Sequence, residues 1–260
     1  MNPVIVALAN QKGGVGKSTT AINLAASLAL AGRRILLIDL DPQGNATSGV
    51  GIDRTAIAHS IYDVLLRDVP MEDAVEPTSV RDLFVVPATI DLAGAEIELV
   101  SVFSREQRLK TAIATVAMDY DAVLIDCPPS LGLLTVNALA AATEVIIPIQ
   151  CEYYALEGLS QLLRNIELVR SNLNPDLLIG GAILTMYDAR TRLAKEVADQ
   201  VRAYFKERTF RTIVPRSVRL SEAPSFGEPI EVFDPMSRGA IAYRNLAREF
   251  VDRHNWEDVT

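Results

Sequence analysis

The chain has 260 residues, 49% of them hydrophobic and 22% charged, with a net charge of −8. That is a globular composition with enough length to bury a large core, and it excludes disordered and fibrous classes. No apolar run nears the roughly 18 residues needed to span a bilayer, the opening "MNPVIVALAN" does not read as a secretory signal, and two cysteines, Cys127 and Cys151, make no disulfide framework, which points to a reducing cytoplasm.

Short apolar runs alternate with longer helical stretches. Strands are predicted at 4–9, 35–39, 83–86, 121–126, 145–150, 178–186 and 210–214. Most are continuously apolar, as parallel strands covered on both faces must be. Helices are predicted at 18–31, capped by Gly32, and at 104–118, 133–142, 156–172, 192–206 and 238–253. Residues 51–81 are polar and irregular and read as a peripheral excursion. The alternation implies an α/β fold with one doubly wound, mostly parallel sheet flanked by helices, in a single domain spanning 1–260.

"NQKGGVGKST" (10–19) joins the first strand to the first helix. It is a phosphate-binding loop, with one departure from G-x-x-x-x-G-K-[ST]. Gln11 stands where the first glycine belongs, and a second lysine, Lys12, follows it. Gly13, Gly14 and Gly16 let backbone N–H groups converge on phosphate, with Val15 and Thr19 completing the loop, and the helix N-terminus adds its positive end. Lys17 is placed to neutralise β- and γ-phosphate charge, and the Ser18 hydroxyl to ligate Mg2+. Two buried strands then end in carboxylates. "LLIDLDPQGN" (36–45) carries Asp39 and Asp41, and "VLIDCPPS" (123–130) carries Asp126. An aspartate at a strand end is often only a turn former, but three beside this loop make a site. Asp126 is assigned to magnesium, Asp41 to the attacking water, and Asp39 to the magnesium shell or the loop.

The segments "KGGVGKST", "DLDPQGN", "DCPPS", "QCEYYALEG", "TMYDART" and "VPRSVRLSEAPSFG" together resemble the ParA/Soj chromosome- and plasmid-partitioning ATPases, within the deviant Walker A class that includes MinD. The resemblance runs from about residue 4 to about residue 250, and it is to the short, chromosomal type. It implies an ATP- and Mg2+-dependent P-loop ATPase that pairs face to face across two nucleotides. Lys12 matches the lysine that crosses to the partner's nucleotide, Gly13 a glycine at the dimer interface, and Asp41 the hydrolytic aspartate. Met186, Pro215 and Ser217 lie where the family holds adenine, although asparagine is expected in place of Ser217. Glu152 borders the dimer face. Arg190 matches a residue needed for DNA binding. The implied partners are non-specific double-stranded DNA and a ParB/Spo0J-type centromere-binding protein, in a cytoplasmic, nucleoid-associated setting.

An acidic DNA-binding protein needs a local source of positive charge. Residues 188–219 hold nine basic and four acidic side chains, a net of +5 that leaves −13 for the rest. Such segregation can build a basic face, here assigned to Arg190, Arg192, Lys195 and Arg219, and the same segment also reads as an ordinary solvated helix face. Three other readings compete. A MinD-like membrane ATPase needs a basic amphipathic C-terminal helix, whereas "YRNLAREFVDRHNWEDVT" has three basic and four acidic residues. Leu246, Phe250 and Trp256 in it read as core contacts. An iron-protein-like reductase needs a cysteine-held cluster, and neither Cys127 nor Cys151 stands in such a motif. A scaffold that binds ATP without turnover has no use for an intact Asp41.

Overall fold

A computed structural model describes residues 3–152 and 158–256. The "YYALE" of the quoted "QCEYYALEG" segment, with the first two residues of the helix predicted at 156–172, lies outside the described residues.

Among the described residues, eight strands form one sheet: β1 (Val4–Leu8), β2 (Ile35–Asp39), β3 (Glu76–Pro77), β4 (Leu83–Val86), β5 (Ala122–Asp126), β6 (Glu144–Gln150), β7 (Leu178–Tyr187) and β8 (Thr209–Pro215). Their order is β3-β4-β2-β5-β1-β6-β7-β8, and only the β3–β4 edge pair is antiparallel. The chain winds outward from β1 in one direction through β2 and β4, then returns through β5 and leaves in the other through β6 to β8. That reversal opens a crevice at the carboxyl ends of the central strands, where α/β sheets of this kind place their ligands.

The continuous apolar runs have a simple cause. Successive side chains of a strand point to opposite faces, and both faces here are covered. Ala7, Leu36, Ile38, Val123 and Ile125 join the core on one face, while Val6, Leu8, Ile35, Leu37 and Leu124 join the core on the other. The helices Lys17–Leu30 and Arg238–Arg253 pack on the second face. Within the latter, Leu246 and Phe250 are fully buried and Trp256 beyond it nearly so, as core contacts.

The described strands and long helices fall close to their predicted positions, and the differences are informative. Residues 51–81 are not merely peripheral. The short helix Ile61–Leu66 buries Ile61 and Leu65 completely, Met71 and Ala74 follow it into the core, and Glu76–Pro77 extends the sheet. The local signal was a capping box, Ser60 with Asp63. Other short helices, such as Asn45–Gly49, Leu92–Glu98 and Val218–Glu222, are too brief to show a period. The helix predicted at 104–118 is an α-helix only over Arg108–Val116, with a 3-10 turn on either side.

Candidate functional site

The loop after β1 is held open from both ends. The Asn10 side chain donates to the Pro148 carbonyl at 2.8 Å and accepts the Lys12 N–H at 3.0 Å. The Thr185 hydroxyl donates to the Val15 carbonyl at 2.8 Å. Gly14 and Gly16 take φ of 72° and 87°, a left-handed conformation that glycine adopts without steric cost. The first ladder bond of the helix runs from Thr20 N–H to the Gly16 carbonyl. The N–H groups before it, on Lys17, Ser18 and Thr19, therefore have no intrahelical partner, and these residues line a cavity of about 330 Å³.

Lys17 is buried, and its ammonium donates to the Lys12 carbonyl at 3.3 Å. Burial lowers its pKa, against the opposing pull of Asp126 and Asp41. The Lys12 ammonium has no hydrogen-bond or ion-pair partner among the described residues. Gly13 is exposed, and a Cβ there would meet only the Pro129 Cβ, at an ordinary 3.9 Å. Among the described residues, nothing requires glycine at that position.

The two strand-end aspartates Asp39 and Asp126 sit side by side in the β2–β5 register, and both are fully buried. Their surroundings separate them. Asp39 accepts the Asp41 N–H at 3.1 Å on one oxygen, and on the other the Thr47 N–H and hydroxyl, both at 2.7 Å. Both oxygens are spent on the loop that follows, so of its two anticipated roles the geometry carries the loop-holding one. Burial pushes its pKa up to about 6, restrained by the Thr47 bonds. Both oxygens of Asp126 lack a hydrogen-bond partner among the described residues. Burial, with the Asp39 charge beside it, raises its pKa well above the usual carboxylate range, while Ser18 and Lys17 lie close enough to oppose the rise. A buried carboxylate with nothing to accept from is costly, and a cation answers that need. Among the described residues, no group of three or more His, Cys, Asp or Glu side chains forms a metal cage. The donor set of one carboxylate and the Ser18 hydroxyl instead fits Mg2+, which keeps waters and takes phosphate oxygens as its other ligands.

Asp41 lines the same cavity as Lys17 and Ser18 and accepts the Gln43 N–H at 2.9 Å. A second cavity of about 270 Å³ shares Gly16, Thr19, Met186 and Pro224 with the first and is lined by Pro215 and Ser217 as well. The three residues assigned to adenine thus come from the ends of β7 and β8 to one recess beside the loop. Met186 takes φ 51°, an uncommon conformation for a non-glycine residue and a frequent mark of functional positions. Pro129, Asn45 and Pro224 also line the first cavity and were not singled out from the sequence, although each sits inside a quoted motif.

The basic segment is divided. Arg190, Arg192 and Lys195 lie at the same end of the sheet as the cavity, with Arg216 and Arg219 after β8. Lys206, Arg208 and Arg211 lie at the opposite end, beyond a helix of 14 residues, a length of about 21 Å at 1.5 Å per residue. The +5 of this segment is therefore not one patch. Several of its cations are also matched locally. Arg190 forks onto Asp188 at 2.9 and 2.7 Å, Arg192 pairs with Glu196, and Arg219 with Glu222 and Asp234. The Arg190 bonds pull the Asp188 pKa down to about 2. These pairs are exposed, so each is weak and exchangeable. Glu152, half-exposed, pairs with Arg216 at 2.6 Å.

A family model described as an AAA domain matches residues 4–179. The chain is 58% identical over 245 residues to the sporulation initiation inhibitor protein Soj of Bacillus subtilis, covering 94% of this chain and 97% of that protein. It is 59% identical over 249 residues to the chromosome partitioning protein ParA of Myxococcus xanthus, covering 96% and 88%. Among solved structures, a cobyrinic acid a,c-diamide synthase from Mycobacterium smegmatis with bound ATP analogue and magnesium superposes with a TM-score of 0.86 at 41% identity, covering 98% of this chain and 96% of that one. The cell division ATPase MinD of Pyrococcus furiosus gives 0.79 at 25%, covering 97% and 99%. With sequence identity near 60% across almost the whole length, a matching family model and a phosphate loop built as described, the chain belongs to the ParA/Soj family of chromosome-partitioning ATPases.

Proposed function

We propose that this chain is an ATP-driven DNA-segregation switch. ATP binds with Mg2+, two subunits close face to face, the dimer docks on DNA without reading sequence, and a ParB/Spo0J-type partner stimulates hydrolysis and release. The observation that carries the catalytic half is the unpartnered, fully buried Asp126 beside Ser18 and Lys17, with Asp41 on the wall of the same cavity.

The phosphates lie against the N–H groups of 14–19, with Lys17 on the β- and γ-phosphates and the base beside Met186, Pro215 and Ser217. Ser18 and Asp126 are the residues that would hold Mg2+. Magnesium, when bound, neutralises phosphate charge that develops in phosphoryl transfer. Asp41 orients the attacking water and accepts its proton as the water oxygen bonds to the γ-phosphorus and the bridging bond to ADP breaks. Lys12, whose ammonium has no partner among the described residues, and Gly13, exposed with room for a Cβ among them, both suit a contact with a partner subunit. Glu152, half-exposed, borders the same face. Support for DNA binding is the exposed Arg190, Arg192, Lys195 and Arg219 at the cavity end of the sheet. Their acidic partners reduce what each subunit offers, so pairing two subunits is what raises affinity. The binding falls steeply with salt. No helix among the described residues is long and apolar enough to cross a membrane.

The test is the Asp41→Ala protein, sized and titrated with DNA in ATP and in ADP. The expected outcome is an ATP-dependent dimer that binds DNA, with turnover lower by about 10²-fold or more, the usual worth of a positioned proton acceptor. Unchanged turnover removes Asp41 from the mechanism, and DNA binding that ignores the nucleotide removes the switch.

A further inference from the structure

The loop bearing Asp41 is clasped from inside by Asp39, through Thr47 and the Asp41 N–H. It is also clasped from outside by a residue that no motif points to. The Arg54 guanidinium donates to the Gln43 carbonyl at 2.6 Å and to the Pro42 carbonyl at 3.2 Å. These are the peptide groups that directly follow Asp41. The backbone makes room for the contact. Gly44 takes φ 67°, and a Cβ there would lie 2.6 Å from both the guanidinium carbon and Nε of Arg54. The guanidinium thus lies against a bare Cα at the end of the turn that the Gly44 N–H closes onto the Asp41 carbonyl at 2.9 Å. The neighbouring acid, Asp53, accepts the Thr55 N–H and hydroxyl at 2.9 and 2.7 Å on one of its oxygens.

We propose that Arg54 is a positioning residue for hydrolysis. By bridging two consecutive carbonyls it sets the path of the 41–44 turn, and with it the direction in which the Asp41 carboxylate meets the water. A planar fork can hold two carbonyls at once, which a single ammonium cannot do with the same rigidity. Arg54 does not line either cavity, so its effect falls on turnover and spares nucleotide affinity. Small misplacements of a catalytic group cost much, since rate depends on near-attack geometry.

This rests on the assignment of Asp41 made above, so the experiment separates the two. Single-turnover ATP hydrolysis, ATP affinity by fluorescent-nucleotide titration and Tm are measured for the parent, Arg54→Met, Arg54→Lys, Asp41→Ala and the double variant Arg54→Met/Asp41→Ala. Methionine keeps an apolar stem and removes the donors. The expected result is a hydrolysis rate about tenfold or more lower in Arg54→Met, partial recovery in Arg54→Lys, ATP affinity within about threefold, and no further loss when the change is added to Asp41→Ala. Arg54→Met hydrolysing at the parent rate while Asp41→Ala is inactive overturns the role of Arg54 alone. ATP affinity or Tm collapsing with the rate also overturns it, because the residue is then merely structural. Parent-like hydrolysis in Asp41→Ala overturns both assignments.

Discussion

Replacing Thr47 by valine removes one hydroxyl and keeps the shape of the side chain. Thr47 is fully buried, and that hydroxyl does two things. It donates to Asp39 at 2.7 Å and accepts the Ala88 N–H at 2.9 Å, tying the turn after β2 to the segment after β4. A hydrogen bond to a charged group is worth about 1.5–3 kcal/mol, and a buried amide left without a partner costs about 1–3 kcal/mol. The expected loss is therefore about 2.5–6 kcal/mol, a large share of the roughly 5–15 kcal/mol that holds a domain folded. Burial has already raised the Asp39 pKa to about 6, above its ordinary 3.8, and the Thr47 side-chain bond is the strongest influence holding it down. A folded state with the higher pKa takes up the proton first, so the charged form costs stability above about pH 6 and that cost fades as pH falls through it. The Thr47→Val penalty should thus be larger at pH 8 than at pH 5. Urea unfolding of the nucleotide-free protein at both values measures it, with Thr47→Ser, which keeps the hydroxyl, as the control. A loss below about 1 kcal/mol at pH 8, or a loss that grows on acidification, would show that the buried network does not hold the turn in the way described.

Gly13→Val should leave Tm within about 2 °C of the parent and nucleotide binding intact, because its Cβ meets only Pro129 at 3.9 Å and φ is not left-handed. Sizing in ATP should then show monomers, and ATP-dependent dimers would remove Gly13 from the interface. Asp188→Asn should free Arg190 from its fork and tighten DNA binding severalfold at low salt, by removing one negative charge beside the cation; a fluorescence-anisotropy titration in which affinity falls or stays the same would count against Arg190 as a DNA contact. His254 pairs with Glu144 at 3.3 Å, and that partner raises its pKa above the ordinary 6.5 in spite of burial. A raised histidine pKa gives stability that is full below about pH 6.5 and lost as pH rises through the folded value. Glu144→Gln should lower Tm most near pH 5.5 and least near pH 8.5, and thermal melts showing the reverse order would break the assignment.

Much of this protein is legible locally. The loop at 10–19, its strand and its helix occupy consecutive residues, and glycines with a lysine and a serine at fixed spacing can be recognised without knowing what lies elsewhere. The strands were legible because burial on both faces leaves no polar position to interrupt them. The short elements were not, since five or six residues carry less than two helical turns of pattern, and the one local mark of Ile61–Leu66, its Ser60–Asp63 cap, went unread within 51–81.

Asp39 and Asp126 show the limit most clearly. Each is an aspartate ending a buried strand in an almost identical phrase, "LLID" and "VLID", and nothing in the phrases tells them apart. The sequence by itself determined that carboxylates would stand at the mouth of a phosphate loop, because strand, turn and loop chemistry are set by near neighbours. Only the tertiary structure decided that Thr47 occupies one of them and leaves the other free, that Met186, Pro215 and Ser217 share a recess, that the basic segment is split between two ends of the sheet, and that Arg54 grips the turn after Asp41. The physical reason is the same in each case. A buried polar group is defined by the partner it finds, and those partners come from chain segments whose meeting is fixed by sheet order and register, not by spacing along the chain.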